Sequence, residues 1–61
     1  MTRYIVNKYE GRKYWGNAFC DTFDECMAFA DDGICTKAKI RDSETGKLFT
    51  VKIEENDIYV D

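Results

Sequence analysis

The chain of 61 residues has no histidine, no proline and no long hydrophobic run. The absence of histidine excludes a serine–histidine–aspartate triad, a histidine general base and ordinary metal–histidine sites. No stretch reaches the roughly 18 consecutive apolar residues of a transmembrane helix. The glycine-rich phosphate-binding motifs are also missing. We therefore expect a protein that is not an enzyme, binds no cofactor or metal ion, and has no membrane span.

The chain lacks an even, paired set of cysteines: Cys20, Cys26 and Cys35 are an odd number with no C-x-x-C spacing. A zinc site needs four ligands at short paired spacings, and a secreted mini-protein usually has an even number of cysteines. We expect three reduced and mostly buried thiols in a reducing compartment. The N-terminal "MTRYIVNKYE" has no signal-peptide pattern, which agrees with a cytoplasmic location.

Positive charge is in the minority, because 9 basic residues face 12 acidic ones and the net charge is −3. This balance argues against general duplex-DNA binding, which depends on phosphate neutralisation. Aromatic residues are abundant, with four Tyr, four Phe and one Trp. Each can bury about 150–250 Å², which partly offsets the small size of the chain. We expect residues 1–61 to form a single small domain.

Hydrophobic alternation, turn signals and one amphipathic stretch divide the chain into six elements. We predict strands at Tyr4–Tyr9, Lys13–Phe19, Ile34–Arg41, Leu48–Glu54 and Ile58–Val60, and a helix at Phe23–Asp32. The order β-β-α-β-β-β predicts an α+β fold of two layers, an antiparallel sheet with one helix across one face.

The helix is predicted from "TFDE", which has the pattern of a capping box. In such a box, Thr22 accepts a hydrogen bond from the Glu25 amide and Glu25 reaches back to the Thr22 amide. Phe23, Cys26, Met27 and Ala30 form one apolar stripe. Gly33 is the predicted stop signal.

The single helix can cover only one face of the sheet. We assign the covered face to the more apolar alternating sets: Val6, Trp15, Phe19, Ala38, Ile40, Phe49, Val51 and Ile53. For the first hairpin an alternative stays open, in which Ile5 and Ala18 face the helix and Gly16 makes room for it. A hairpin loop of two residues (Glu10 and Gly11) and one of four (residues 10–13) both place Val6, Trp15 and Phe19 on the same face, as the first assignment requires.

The uncovered face then combines cations with tyrosines, whereas the acids concentrate on the helix and at the C-terminus. The candidate partner-binding residues are Tyr9, Arg12, Tyr14, Lys37, Lys39, Arg41 and Lys52. Tyrosine and arginine are enriched in protein interfaces. The alternative is an ordinary solvated sheet face whose lysines discourage aggregation.

The leading "YIV", the capped "TFDECMAFA" and the following "TKAKIRDSETGKLFTVKIEENDIYVD" together resemble a known kind of protein. They are similar to the small sheet-plus-helix proteins encoded by phages and mobile elements, among them some anti-CRISPR inhibitors of RNA-guided complexes. The resemblance lies in chain length, in the order of the elements and in the succession of helix and hairpin. It transfers no functional residue. It implies a stoichiometric inhibitor that works in the cytoplasm of a host cell.

Three functions are consistent with these features. The first is a protein-binding module that inhibits a larger protein or ribonucleoprotein complex. The second is direct nucleic-acid binding, with bases on Tyr9 and Tyr14 and phosphates on the lysines. The third is a structural homodimer that closes the open face or pairs edge strands.

Overall fold

The computed structural model describes residues 2–60, which contain five strands and one helix. The elements are β1 (Tyr4–Glu10), β2 (Lys13–Cys20), α1 (Phe23–Ala30), β3 (Lys37–Asp42), β4 (Leu48–Lys52) and β5 (Asp57–Val60). All five strands form one antiparallel sheet in the order β2-β1-β3-β4-β5. The α+β class and the element order predicted from the sequence are confirmed.

The start of α1 is fixed by side chains of its first turn. The Glu25 amide donates to the Thr22 hydroxyl at 3.2 Å, as expected for an N-cap threonine. The carboxylate of Glu25 accepts from the amide of Asp21 at 3.4 Å, one residue earlier than the predicted bond to Thr22. The bond from the Glu25 amide satisfies a backbone N–H group that an isolated helix end would leave without a partner.

The helix ends at Ala30, two residues before the predicted end, because Asp32 organises a separate turn. Its carboxylate accepts from the amides of Ile34 and Cys35, both at 2.9 Å, and from the amine of Lys8 at 2.9 Å. The Cys35 amide, followed by Lys8, holds the pKa of Asp32 well below its usual range. This turn occupies the residues that were predicted to begin the third strand, so β3 begins only at Lys37.

A buried carboxylate, that of Asp42, ties the N-terminal segment to the end of β3. Asp42 is only 4% exposed and accepts from the Arg3 guanidinium at 3.1 Å. Arg3 also contacts Glu44 at 3.2 Å. The hydrogen bond from Arg3 lowers the pKa of Asp42. The ionised form of Asp42 therefore stabilises the fold.

The core lies between α1 and the covered face of the sheet. Its fully packed members are Val6, Cys20, Cys26, Ala30, Ala38, Ile40 and Val51. The three thiols are free and buried, as predicted. Burial, with a hydrogen bond to Cys20, raises the pKa of Cys26 to about 12. The thiol of Cys26 is thus held in its neutral form.

The first hairpin contains a β-bulge that reverses the predicted facing of β2. Tyr9 pairs with Tyr14 near the turn, but Lys8 pairs with Gly16, so Trp15 is the extra residue. Gly16 has a φ of 143°, a conformation that favours glycine. A shift of one residue moves every later side chain of the strand to the other face.

The assignment of Trp15 and Phe19 to the core is therefore wrong. Their side chains are 42% and 66% exposed. Ala18 and Cys20 face the core instead, with Ala18 opposite Val6. The alternative assignment is right for Ala18 but not for Ile5, which pairs with Phe19 on the uncovered side.

Candidate binding face on the open side of the sheet

The side of the sheet opposite α1, here called the open face, presents three rows of side chains across the strands. Directly paired residues of antiparallel strands share a face. The first row is Tyr14, Tyr9, Lys37, Lys52 and Asp57; the second is Asn17, Asn7, Lys39, Thr50 and Tyr59; the third is Phe19, Ile5, Arg41 and Leu48.

Two tyrosines and a lysine form the β2 end of the first row. The rings of Tyr9 and Tyr14 lie 5.5 Å apart between centroids, tilted by 59°. The amine of Lys37 lies 5.3 Å from the centroid of the Tyr9 ring. The Tyr14 hydroxyl donates to the side-chain oxygen of Asn7 at 3.5 Å. These contacts hold the tyrosines as a preorganised aromatic surface, of which Tyr14 is 52% exposed.

The first row continues with two lysines that lie directly opposite each other, Lys37 on β3 and Lys52 on β4. Their amines turn away from each other, because Lys37 lies over Tyr9 and Lys52 lies 5.6 Å from the centroid of the Tyr59 ring. Like charges directly opposite each other destabilise a sheet. The fold therefore retains a pair that is locally unfavourable.

The four cations of the open face have no carboxylate partner within the described residues: Lys37, Lys39, Arg41 and Lys52. The ion pairs between described residues use Arg3 and Lys8 instead. The acids near α1 belong to the opposite side of the sheet, where Asp32 already binds Lys8. The open face consequently presents positive charge that an acidic partner can neutralise.

The second and third rows enclose a shallow pocket of about 330 Å³, here called the groove. It is lined by Ile5, Asn7, Lys39, Arg41 and Leu48. Ile5 and Leu48 flank Arg41 on the two neighbouring strands. Phe19 pairs with Ile5 and extends the apolar surface toward the edge of the sheet. The groove thus combines two cations with an apolar wall.

Six of the seven residues proposed from the sequence come together on this face: Tyr9, Tyr14, Lys37, Lys39, Arg41 and Lys52. Arg12 lies exposed in the β1–β2 turn, outside the three rows.

Sequence reasoning missed Phe19, Leu48 and Tyr59. Phe19 was misplaced because the bulge was not recognised, and Gly16 was its only signal. Leu48 alternates with Thr50 and Lys52, so its facing was readable from the sequence but its place beside Arg41 was not. Tyr59 reaches the open face through its pairing with Thr50 across the last hairpin. All three add apolar or aromatic surface to a face predicted to combine cations with two tyrosines.

Other kinds of site receive no support from the described residues. Within residues 2–60, no three cysteine, aspartate or glutamate side chains are grouped so that they could hold a metal ion. Among the same residues no helix combines the length and the apolar character that crossing a membrane requires. Comparison of the chain with family models, curated proteins and solved structures found no match. Function is therefore inferred from the open face itself.

Proposed function

We propose that this protein is a non-catalytic binding module that inhibits a larger protein or ribonucleoprotein complex by covering part of its surface with the open face. The observation that carries this proposal is the set of four cations that have no carboxylate partner among residues 2–60, interleaved with exposed aromatic side chains on one sheet face. A face that only had to be solvated would have no need for Phe19, which is 66% exposed.

The physical properties of the face suit a protein partner. Aromatic residues and arginine are the side chains most enriched in the energetic centres of interfaces. The sheet holds them in fixed positions, so little conformational entropy is lost on binding. The resemblance to small phage-encoded inhibitors supports the same proposal. On this proposal the protein acts in the cytoplasm of a host cell.

The test is capture of a partner from a host lysate by the tagged protein, followed by inhibition of that purified partner. The face variant is Lys37→Glu with Lys39→Glu. The matched control is Lys13→Glu with Lys47→Glu, which has the same net charge but changes residues beside the two hairpin turns. Circular dichroism first establishes that both variants fold.

We expect the control to capture and inhibit the partner like the natural protein, and the face variant to lose both properties. Equal binding by the two variants would refute the open face as the contact surface. Binding without any effect on the partner's activity would refute inhibition and leave a binding module.

A second candidate function is binding of single-stranded nucleic acid. It is favoured by the contact of Tyr9 with both Tyr14 and Lys37, since bases stack on aromatic side chains while neighbouring cations bind the phosphates. This function predicts an affinity for oligonucleotides that falls steeply with salt. Absence of binding to single-stranded DNA and RNA at low salt would exclude it.

A further inference from the structure

We infer that the groove binds an acidic segment of a partner protein in which carboxylates stand close to an apolar side chain. This inference depends on the proposed function, because it names the chemistry of what the same face contacts. Nucleic acid and a second copy of this chain are the competing occupants, and the experiment below separates them from the acidic segment.

The spacing of the two groove cations fits an extended acidic chain. Lys39 and Arg41 are two residues apart on β3 and point to the same face, which places them about 7 Å apart along the strand. Alternate side chains of an extended peptide repeat at the same distance. Two acidic residues separated by one residue can therefore meet both cations at once.

The chemistry of Arg41 favours a carboxylate. Its guanidinium has no carboxylate partner among the described residues, and the residue is exposed. A guanidinium binds a carboxylate through two parallel hydrogen bonds, which are stronger than bonds between neutral groups. Arg41 is thus free to bind an acidic side chain from outside.

The apolar wall distinguishes a protein segment from a polyanion. Ile5 and Leu48 lie on either side of Arg41, and Phe19 continues the wall beyond Ile5. These side chains offer contact area to an aliphatic or aromatic group but nothing to a phosphate. A long polyanion would also meet the net charge of −3 of the whole chain. The combination favours a short acidic and apolar protein segment.

Nuclear magnetic resonance titration of the ¹⁵N-labelled protein tests the inference with defined probes. The main probe is a capped peptide in which glutamate and leucine residues are mixed. Its controls have glutamine in place of glutamate, or serine in place of leucine. An oligothymidylate of equal charge represents nucleic acid, and dilution of the protein alone represents self-association.

With the glutamate–leucine peptide, we expect saturable chemical-shift changes at the amides of Ile5, Lys39, Arg41 and Leu48. The affinity of each control peptide should be at least about tenfold weaker. Arg41→Gln should weaken binding of the main peptide about tenfold or more. Lys47→Gln removes the same charge from the β3–β4 turn and should leave binding unchanged.

The inference is overturned if the peptide produces no saturable shift at the groove, or if the serine control binds equally well. Tighter binding of the oligothymidylate would assign the groove to nucleic acid, and shifts on dilution would assign it to a second copy. A partner that is captured through Lys37 and Lys39 but is insensitive to Arg41→Gln would overturn this inference and leave the proposed function standing.

Discussion

Replacing Lys37 with glutamate is expected to stabilise the fold, although it removes a cation from the binding face. Lys37 lies directly opposite Lys52, and such like-charge pairs are destabilising. Its other direct cross-strand neighbour is Tyr9, which carries no charge, so exchanging repulsion for attraction gains about 1 kcal/mol. Loss of the contact between Lys37 and the Tyr9 ring, 5.3 Å from amine to centroid, costs about 0.5 kcal/mol. The net gain of about 0.5 kcal/mol corresponds to a rise in Tm of about 2–4 °C for a domain of this size.

Thermal denaturation followed by circular dichroism measures this effect. The gain should largely disappear in about 1 M salt, where exposed charges are screened beyond about 3 Å. Lys37→Gln is the control, because it removes both the repulsion and the ring contact without adding attraction, and should stay close to the natural protein. A lower Tm for Lys37→Glu, or a gain that persists in high salt, would refute the electrostatic reasoning.

The remaining predictions concern the fold that supports the face. Stability should fall as the pH drops below about 4, because hydrogen bonds hold the pKa of Asp32 and of Asp42 below their usual range. This contribution to stability is complete above the ordinary carboxyl pKa of about 3.9 and is lost as the pH falls through the folded-state pKa values. Between neutral pH and pH 2, the Tm of the Asp32→Asn variant should therefore decline less than the Tm of the natural protein. Thr22→Ala should lower the free energy of unfolding by about 1 kcal/mol in urea titrations, and Thr22→Ser should restore it. Cys26 should resist iodoacetamide at pH 8 until the chain is unfolded, and rapid labelling detected by mass spectrometry would contradict its burial. Trp15→Ala should cost about 1 kcal/mol or less in the same urea titrations, whereas a loss of about 3–5 kcal/mol would place Trp15 in the core and contradict the bulge.

Most of the fold could be predicted from the sequence because local signals specify its elements. The N-cap threonine marks the start of the helix, and alternating side chains mark β3 and β4. The end of the helix could not be predicted in the same way. The turn that follows it depends on Asp32 binding Lys8, which is 24 residues away along the chain. Contacts of that kind are set by tertiary packing rather than by local propensity.

The facing of β2 was mispredicted because a single extra residue decides it. Regular hairpins with loops of two or four residues give the same facing, so comparing these two loop lengths does not reveal the error in the facing of β2. The bulge at Trp15 reverses the facing for the rest of the strand. Only the alternative assignment uses Gly16, as space for the helix, although a glycine within a strand is also a signal for a bulge.

The error at β2 leaves the predicted cations in place but changes the chemistry of the face they belong to. Lys37, Lys39 and Arg41 alternate with buried Ala38 and Ile40 on β3, so their facing does not depend on the first hairpin. With Phe19 in the core, the face would have been a basic sheet with two tyrosines, for which nucleic acid is an alternative partner beside a protein. With Phe19 exposed beside Ile5 and the groove, the same cations border an apolar wall. One residue inserted in β2 therefore adds a feature that favours an acidic and apolar protein segment over nucleic acid.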